Sequence, residues 1–251
     1  CRQLVANGRQ VYRLGLGQSP FPVPDHVVKA LQDHAHEKAY LPTRGLPQLC
    51  EAVVAHLSRT EGVERSGERV LIGPGTKELL FLLQFSYQAE LILPSPGWVS
   101  YEPQAAIVGR KFEWLESSTE HWGLTAEALD AHCQRKPGRT RLLILNYPNN
   151  PSGHCYSEVE LRAIAEVCRR HELLVLSDEI YSGVHFAGEH VSIARFYPEG
   201  TIVSNGLSKW SGAASGSNIT TTVTMTSDKE VTATFTTPLY CNLFPISLVA
   251  V

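Results

Sequence analysis

From about residue 69 the chain settles into a regular alternation. Short Leu-rich or β-branched runs at Arg69 to Gly73, Glu90 to Pro94, Lys111 to Leu115, Arg141 to Asn146, Leu173 to Asp178 and Thr201 to Asn205 are separated by helical periodicity starting near Thr76, Val99, Thr125 and Ser157. Parallel neighbours need a crossover of about a dozen residues, and a helix supplies it, so this alternation specifies a largely parallel sheet covered by helices. Several runs are apolar throughout, as strands buried on both faces are. The fold class is therefore α/β, a mostly parallel sheet with helices on both faces.

The helix from Ser157 is the best marked. Ser157 and Glu160 form a capping box, Leu161, Ile164, Ala165 and Cys168 recur on one face, and Arg169 and Arg170 suit the C-terminal dipole. Asp25 and Pro47 start two further amphipathic helices, one carrying Val27, Val28 and Leu31, the other Leu49, Val53 and Leu57. Residues 1–24, rich in Pro and Gly, read as an extended arm; 25–212 form the main domain with its preceding helices. The last stretch, 213–251, is a Ser/Thr-rich tail whose only charges are Asp228, Lys229 and Glu230; it shows β-propensity but no amphipathic helix.

With 43% hydrophobic and 19% charged residues over 251 positions, the chain is globular rather than disordered. A net charge of −3 without a basic block argues against nucleic acid as a partner, and the apolar runs are too short to cross a bilayer. The six cysteines include no CxxC pair, so neither a metal site nor a disulfide framework is indicated, and a reducing, cytoplasmic setting is expected. The chain starts on Cys1 with no export segment, so a trimmed or incomplete start is expected.

Four features follow strand ends, where open α/β sheets place their ligands. Gly73, Pro74, Gly75, Thr76 and Lys77 form a short turn into a helix whose amides and hydroxyl suit a phosphate, although Gly and Pro equally mark an ordinary turn. Asn146 to Gly153, reading NYPNNPSG, is either a rigid turn or a polar ligand edge. Asp178 in SDEIY ends an apolar run, where a carboxylate is costly without a partner, so a cation beside it is expected. Ser208 and Lys209 follow the last run; such a lysine is either a solvated loop charge or, with a lowered pKa, a Schiff-base former.

The order and spacing of these pieces resemble the class I/II aminotransferases, the aspartate aminotransferase-like branch of the fold type I pyridoxal phosphate enzymes. The resemblance spans about Leu14 to Gly212 through YLPTRG (Tyr40 to Gly45), GPGTKE (Gly73 to Glu78), PSPGWVSY (Pro94 to Tyr101), NYPNNPSG, SDEIY and SNGLSKW. It implies pyridoxal 5'-phosphate as cofactor, held covalently by Lys209, which also shuttles the substrate proton. Asp178 would pair with the pyridine nitrogen, Asn150 and Tyr181 with the phenolic oxygen, and Trp98 with the ring face. Gly75, Thr76, Lys77 and Ser208 belong to the phosphate side, with Tyr40 reaching the phosphate of the neighbouring subunit of a homodimer. Gly17 and Asn150 match positions beside the substrate. The implied activity is amino-group transfer between an amino acid and a 2-oxo acid, with a lyase on the same scaffold as an alternative.

The resemblance stops after Gly212. Family members carry a phosphate-binding arginine eight positions after the lysine; here that position is Ser217. No arginine follows Arg195, so the resemblance implies that the one that grips the substrate carboxylate has no counterpart in this sequence, and a largely missing small domain is expected. Impaired activity or a non-catalytic truncated form is the corresponding expectation.

Overall fold

The computed structural model describes residues 2–11, 22–61, 66–118, 120, 122–185 and 188–206, together with strands at 219–225, 229–235 and 247–250. Helices α1 (Arg2–Ala6), α2 (Asp25–His34) and α3 (Pro47–Glu61) precede β1 (Val70–Gly73), α4 (Thr76–Ser86), β2 (Glu90–Ser95), α5 (Tyr101–Ile107) and β3 (Phe112–Glu116). Next come α6 (Ala126–Arg135), β4 (Arg141–Asn146), α7 (Glu158–Arg170), β5 (Leu174–Asp178) and β6 (Thr201–Gly206), then β7 (Ile219–Met225), β8 (Lys229–Phe235) and β9 (Ser247–Ala250). Each of β1 to β6 lies within one residue of the run read from the sequence. The alternation therefore located these elements, and α/β is the observed fold class.

Seven strands form one sheet in the order β1-β9-β6-β5-β4-β2-β3, every pair parallel. Because side chains alternate across a strand, Leu91, Leu93, Leu142, Ile144 and Leu176 pack on one face against Leu79 and Leu80 of α4 and Tyr101 and Ala105 of α5. Their neighbours Ile92, Leu143, Leu145 and Val175 pack on the other against Leu129 and Cys133 of α6 and Leu161, Ile164 and Cys168 of α7. Val203 follows Ile202, which belongs to the first face, so the cluster of Val203 with Cys50, Val53 and Leu57 puts α3 on the α6–α7 side. Both faces are covered, as apolar strands require.

The α7 capping box forms as read: Ser157 Oγ accepts from the Glu160 amide at 3.3 Å, and Glu160 Oε2 accepts from the Ser157 amide at 2.7 Å. Two expectations are corrected. Arg2–Ala6 is a short exposed helix rather than extended chain, because helix-tolerant residues run unbroken to Gly8, whose φ of +73° ends the turn. Helix α5 starts at Tyr101 rather than near Val99, since 96–100, between β2 and α5, remains a loop that presents Trp98. The Thr-rich segment contributes an antiparallel pair, β7 with β8, and β9 enters the main sheet between β1 and β6. Among the described residues no helix is long and apolar enough to cross a membrane.

Candidate active site

Since all seven strands run in parallel, the C-terminal ends of β1, β2, β4, β5 and β6 meet at one edge, and the turns after them converge. Asp178, the last residue of β5, is buried on the α4–α5 face. Its Oδ2 accepts from Tyr101 Oη at 2.6 Å and its Oδ1 from the Ile180 amide at 3.4 Å. Burial drives its carboxyl up to about 6; the Tyr101 and Ile180 bonds pull it down, and Glu179 pushes it further up. The cation expected beside Asp178 is not found among the described residues. A phenol stands there instead, held neutral because burial and the adjacent carboxylate push its own pKa well up.

The Asn146 side chain spans the β4–β5 junction, donating to the Asp178 carbonyl at 2.8 Å and accepting from the Asn150 amide at 2.7 Å. This clamp turns the NYPNNPSG segment back so that Asn150 Nδ2 donates to Tyr181 Oη at 3.3 Å. Two of the predicted residues thus touch although 31 positions separate them. Burial raises the Tyr181 phenol, the Asn150 bond lowers it, and Asp178 raises it again, so Tyr181 senses the Asp178 charge. Ser204, the register partner of Asp178 on β6, has a buried Oγ with no hydrogen-bond partner among the described residues.

Trp98 is half-buried beside Tyr101, ring centroids 5.4 Å apart and edge to face, and Lys77 Nζ lies 5.2 Å from the Trp98 centroid. Helix α4 starts immediately after Gly75, which offers no side-chain cap, so its first amides at Thr76 and Lys77 remain as anion donors at the sheet edge. Tyr40 is fully exposed. Gly17, Ser208 and Lys209 lie outside the described residues, although β6 ends at Gly206, three positions before the lysine.

Three residues of this edge escaped sequence reasoning: Tyr101, Asn146 and Glu179. Tyr101 lies in PSPGWVSY three residues after Trp98, yet nothing local says that it reaches across 77 positions to Asp178. Glu179, next to Asp178, is completely buried, and no local pattern marks it.

The profile of the family described as aminotransferase class I and II matches residues 9–235, reaching past Gly212 where the motif resemblance ends. The chain is 36% identical over 219 residues to an aspartate aminotransferase of Geobacillus stearothermophilus, covering 83% of this chain and 55% of that protein. It is 32% identical to an asparagine–oxo-acid transaminase of Streptococcus mutans over the same shares. Among solved structures, the aspartate aminotransferase of Thermus thermophilus with maleate superposes with a TM-score of 0.76 at 30% identity, over 85% of this chain and 57% of that one. An aspartate aminotransferase of Rhizobium meliloti gives 0.77 at 30% identity, over 83% and 54%. The chain thus spans about half the length of the relatives it matches.

Proposed function

The chain belongs to the class I and II aminotransferases, and from that premise we propose that its sheet-edge crevice holds pyridoxal 5'-phosphate and that the protein moves an amino group between an amino acid and a 2-oxo acid. Asp178 carries the reading. A carboxylate this buried, with a single short hydrogen bond, is costly to ionise until a cation meets it. A protonated pyridine nitrogen is such a cation, and the buried Ser204 hydroxyl on the neighbouring strand, without a hydrogen-bond partner among the described residues, supports a polar ligand at this edge. The residues present therefore fit the cofactor.

When bound, the cofactor supplies an electron sink for the carbanion left by loss of a substrate proton. Asp178 would hold the ring nitrogen protonated, while Tyr101 keeps the carboxylate ionised and aimed. Asn150 and Tyr181, already in contact, would present their polar ends to the phenolic oxygen. Trp98 would cover one ring face. The Thr76 and Lys77 amides, with Gly75 leaving room and Ser208 adding a hydroxyl, would take the phosphate at the start of α4. Lys209 Nζ, as the free amine, would remove the proton from the substrate Cα and return it at another carbon; Gly17 and Asn150 would line the substrate's place. Tyr40, exposed with Leu41 beside it, is assigned to the phosphate of a second subunit in a homodimer.

Ser217, where relatives would carry an arginine, favours a weakened hold on the phosphate. In the domain assignment that goes with this reading, 1–24 is an arm, 25–212 the cofactor-binding large domain and 213–251 an atypical tail.

The test is the absorption spectrum of the purified chain with added pyridoxal 5'-phosphate. A band near the visible that is lost on borohydride reduction, and absent in Lys209→Ala, is expected. A spectrum identical in wild type and Lys209→Ala would overturn the assignment.

A further inference from the structure

Directly after Asp178, but turned away from it, Glu179 is completely buried and gathers four donors. Its Oε1 accepts from Ser177 Oγ at 2.7 Å, Ser192 Oγ at 2.7 Å and Tyr147 Oη at 3.1 Å, and its Oε2 faces His190 Nε2 at 2.7 Å. The His190 ring stacks on Tyr147, centroids 5.2 Å apart and planes 23° from parallel, and the Ile193 amide donates to Tyr147 Oη at 2.8 Å. Burial alone would push the Glu179 carboxyl up; the His190 charge and the hydroxyl donors outweigh it and hold Glu179 ionised.

The donors come from three separate segments. Ser177 belongs to β5, Tyr147 begins the turn that carries Asn150, and His190, Ser192 and Ile193 lie on the return toward β6. Glu179 itself opens the turn that carries Tyr181: its carbonyl accepts from the Ser182 amide at 2.9 Å and its amide donates to the Ser204 carbonyl at 2.9 Å. The two turns are therefore joined twice, at their roots through Glu179 and Tyr147 and at their tips through Asn150 and Tyr181. A frame closed at both ends fixes the angle between its sides.

We propose that the Glu179–His190 pair is a positioning pair, which holds the Asn150 turn and the Tyr181 turn in the relation the crevice needs. A buried, hydrogen-bonded carboxylate adds little net stability over an apolar filling of the same volume, so the contribution of Glu179 lies in directionality, four donors converging on two oxygens. The inference rests on the reading of Asn150 and Tyr181 as cofactor contacts, while the frame itself does not depend on any ligand.

Two readouts on Glu179→Gln, with His190→Gln as the second variant should the first fail to fold, decide it. In the cofactor-free chain, amide hydrogen exchange is expected to quicken about tenfold at residues 147–150 and 179–184 while β4 and α7 keep their rates, as for local loss of a charged hydrogen bond. In the loaded chain, the pH midpoint of the Lys209-dependent absorption band is expected to shift, because donors at Asn150 and Tyr181 set that titration. Unchanged exchange in both turns would overturn the proposal. So would a uniform rise across β4 and α7 with an unmoved band, the signature of a merely structural pair. A wild-type chain with no Lys209-dependent band would instead sink the cofactor reading, and the exchange pattern would still decide the frame.

Discussion

Asp178→Asn should stabilise the cofactor-free chain at neutral pH while removing its capacity to hold the cofactor. The folded carboxyl titrates at about 6, against roughly 3.9 in an unfolded chain. A group whose folded pKa is raised in this way favours the protonated state in the fold, so the native chain binds more protons than the unfolded one between about pH 4 and pH 6, and stability falls as pH rises through that window. A shift of about two units corresponds to roughly 3 kcal/mol of stability, present in full below about pH 4 and lost above about pH 6. Asparagine keeps an oxygen for Tyr101, and the charge-assisted bond it gives up is already contained in the raised pKa. A net gain of about 2–3 kcal/mol at pH 7.5 follows, shrinking to zero near pH 4. Urea unfolding of both proteins at the two pH values measures the difference directly, since all other titrating groups are common to both. If Asp178→Asn proves destabilising by the same amount at both pH values, the carboxylate is already satisfied in the folded chain, and the argument that it awaits a cation fails.

Tyr101→Phe removes the short bond to the ionised carboxylate, and is expected to cost about 1.5–3 kcal/mol at pH 7.5 but less near pH 4, where Asp178 is neutral; the same urea titrations check it. Ser157→Ala breaks the α7 capping box and should cost about 1 kcal/mol at every pH from 5 to 9, seen as a lower urea midpoint with an unchanged slope. Ser217→Arg supplies the phosphate side with a charge-assisted partner, and is expected to tighten pyridoxal 5'-phosphate binding roughly ten- to a hundredfold by absorbance titration; an unchanged affinity would show that position 217 does not reach the phosphate.

The positions of β1 to β6, of α4, α6 and α7, and of the capping box were all legible in the chain itself, because each depends on local spacing: apolar runs of strand length, helical periodicity and a Ser three residues before a Glu. The family was legible too, since NYPNNPSG, SDEIY and SNGLSKW keep their order. What spacing could not supply was anything decided between distant residues. Fully apolar strands such as Leu142–Leu145 carry no mark of their neighbours, so the strand order, and β9 lodging between β1 and β6, follow only from packing. The same holds for polar partners. A buried carboxylate must find donors, but which ones is a matter of what the sheet brings alongside: Asp178 meets a phenol from α5 rather than a cation, and Glu179, silent in the sequence, becomes the meeting point of Tyr147, Ser177, His190 and Ser192. Local chemistry determined that this edge would be polar; the tertiary structure decided which groups satisfy one another and leaves Asp178 without a cation among the described residues.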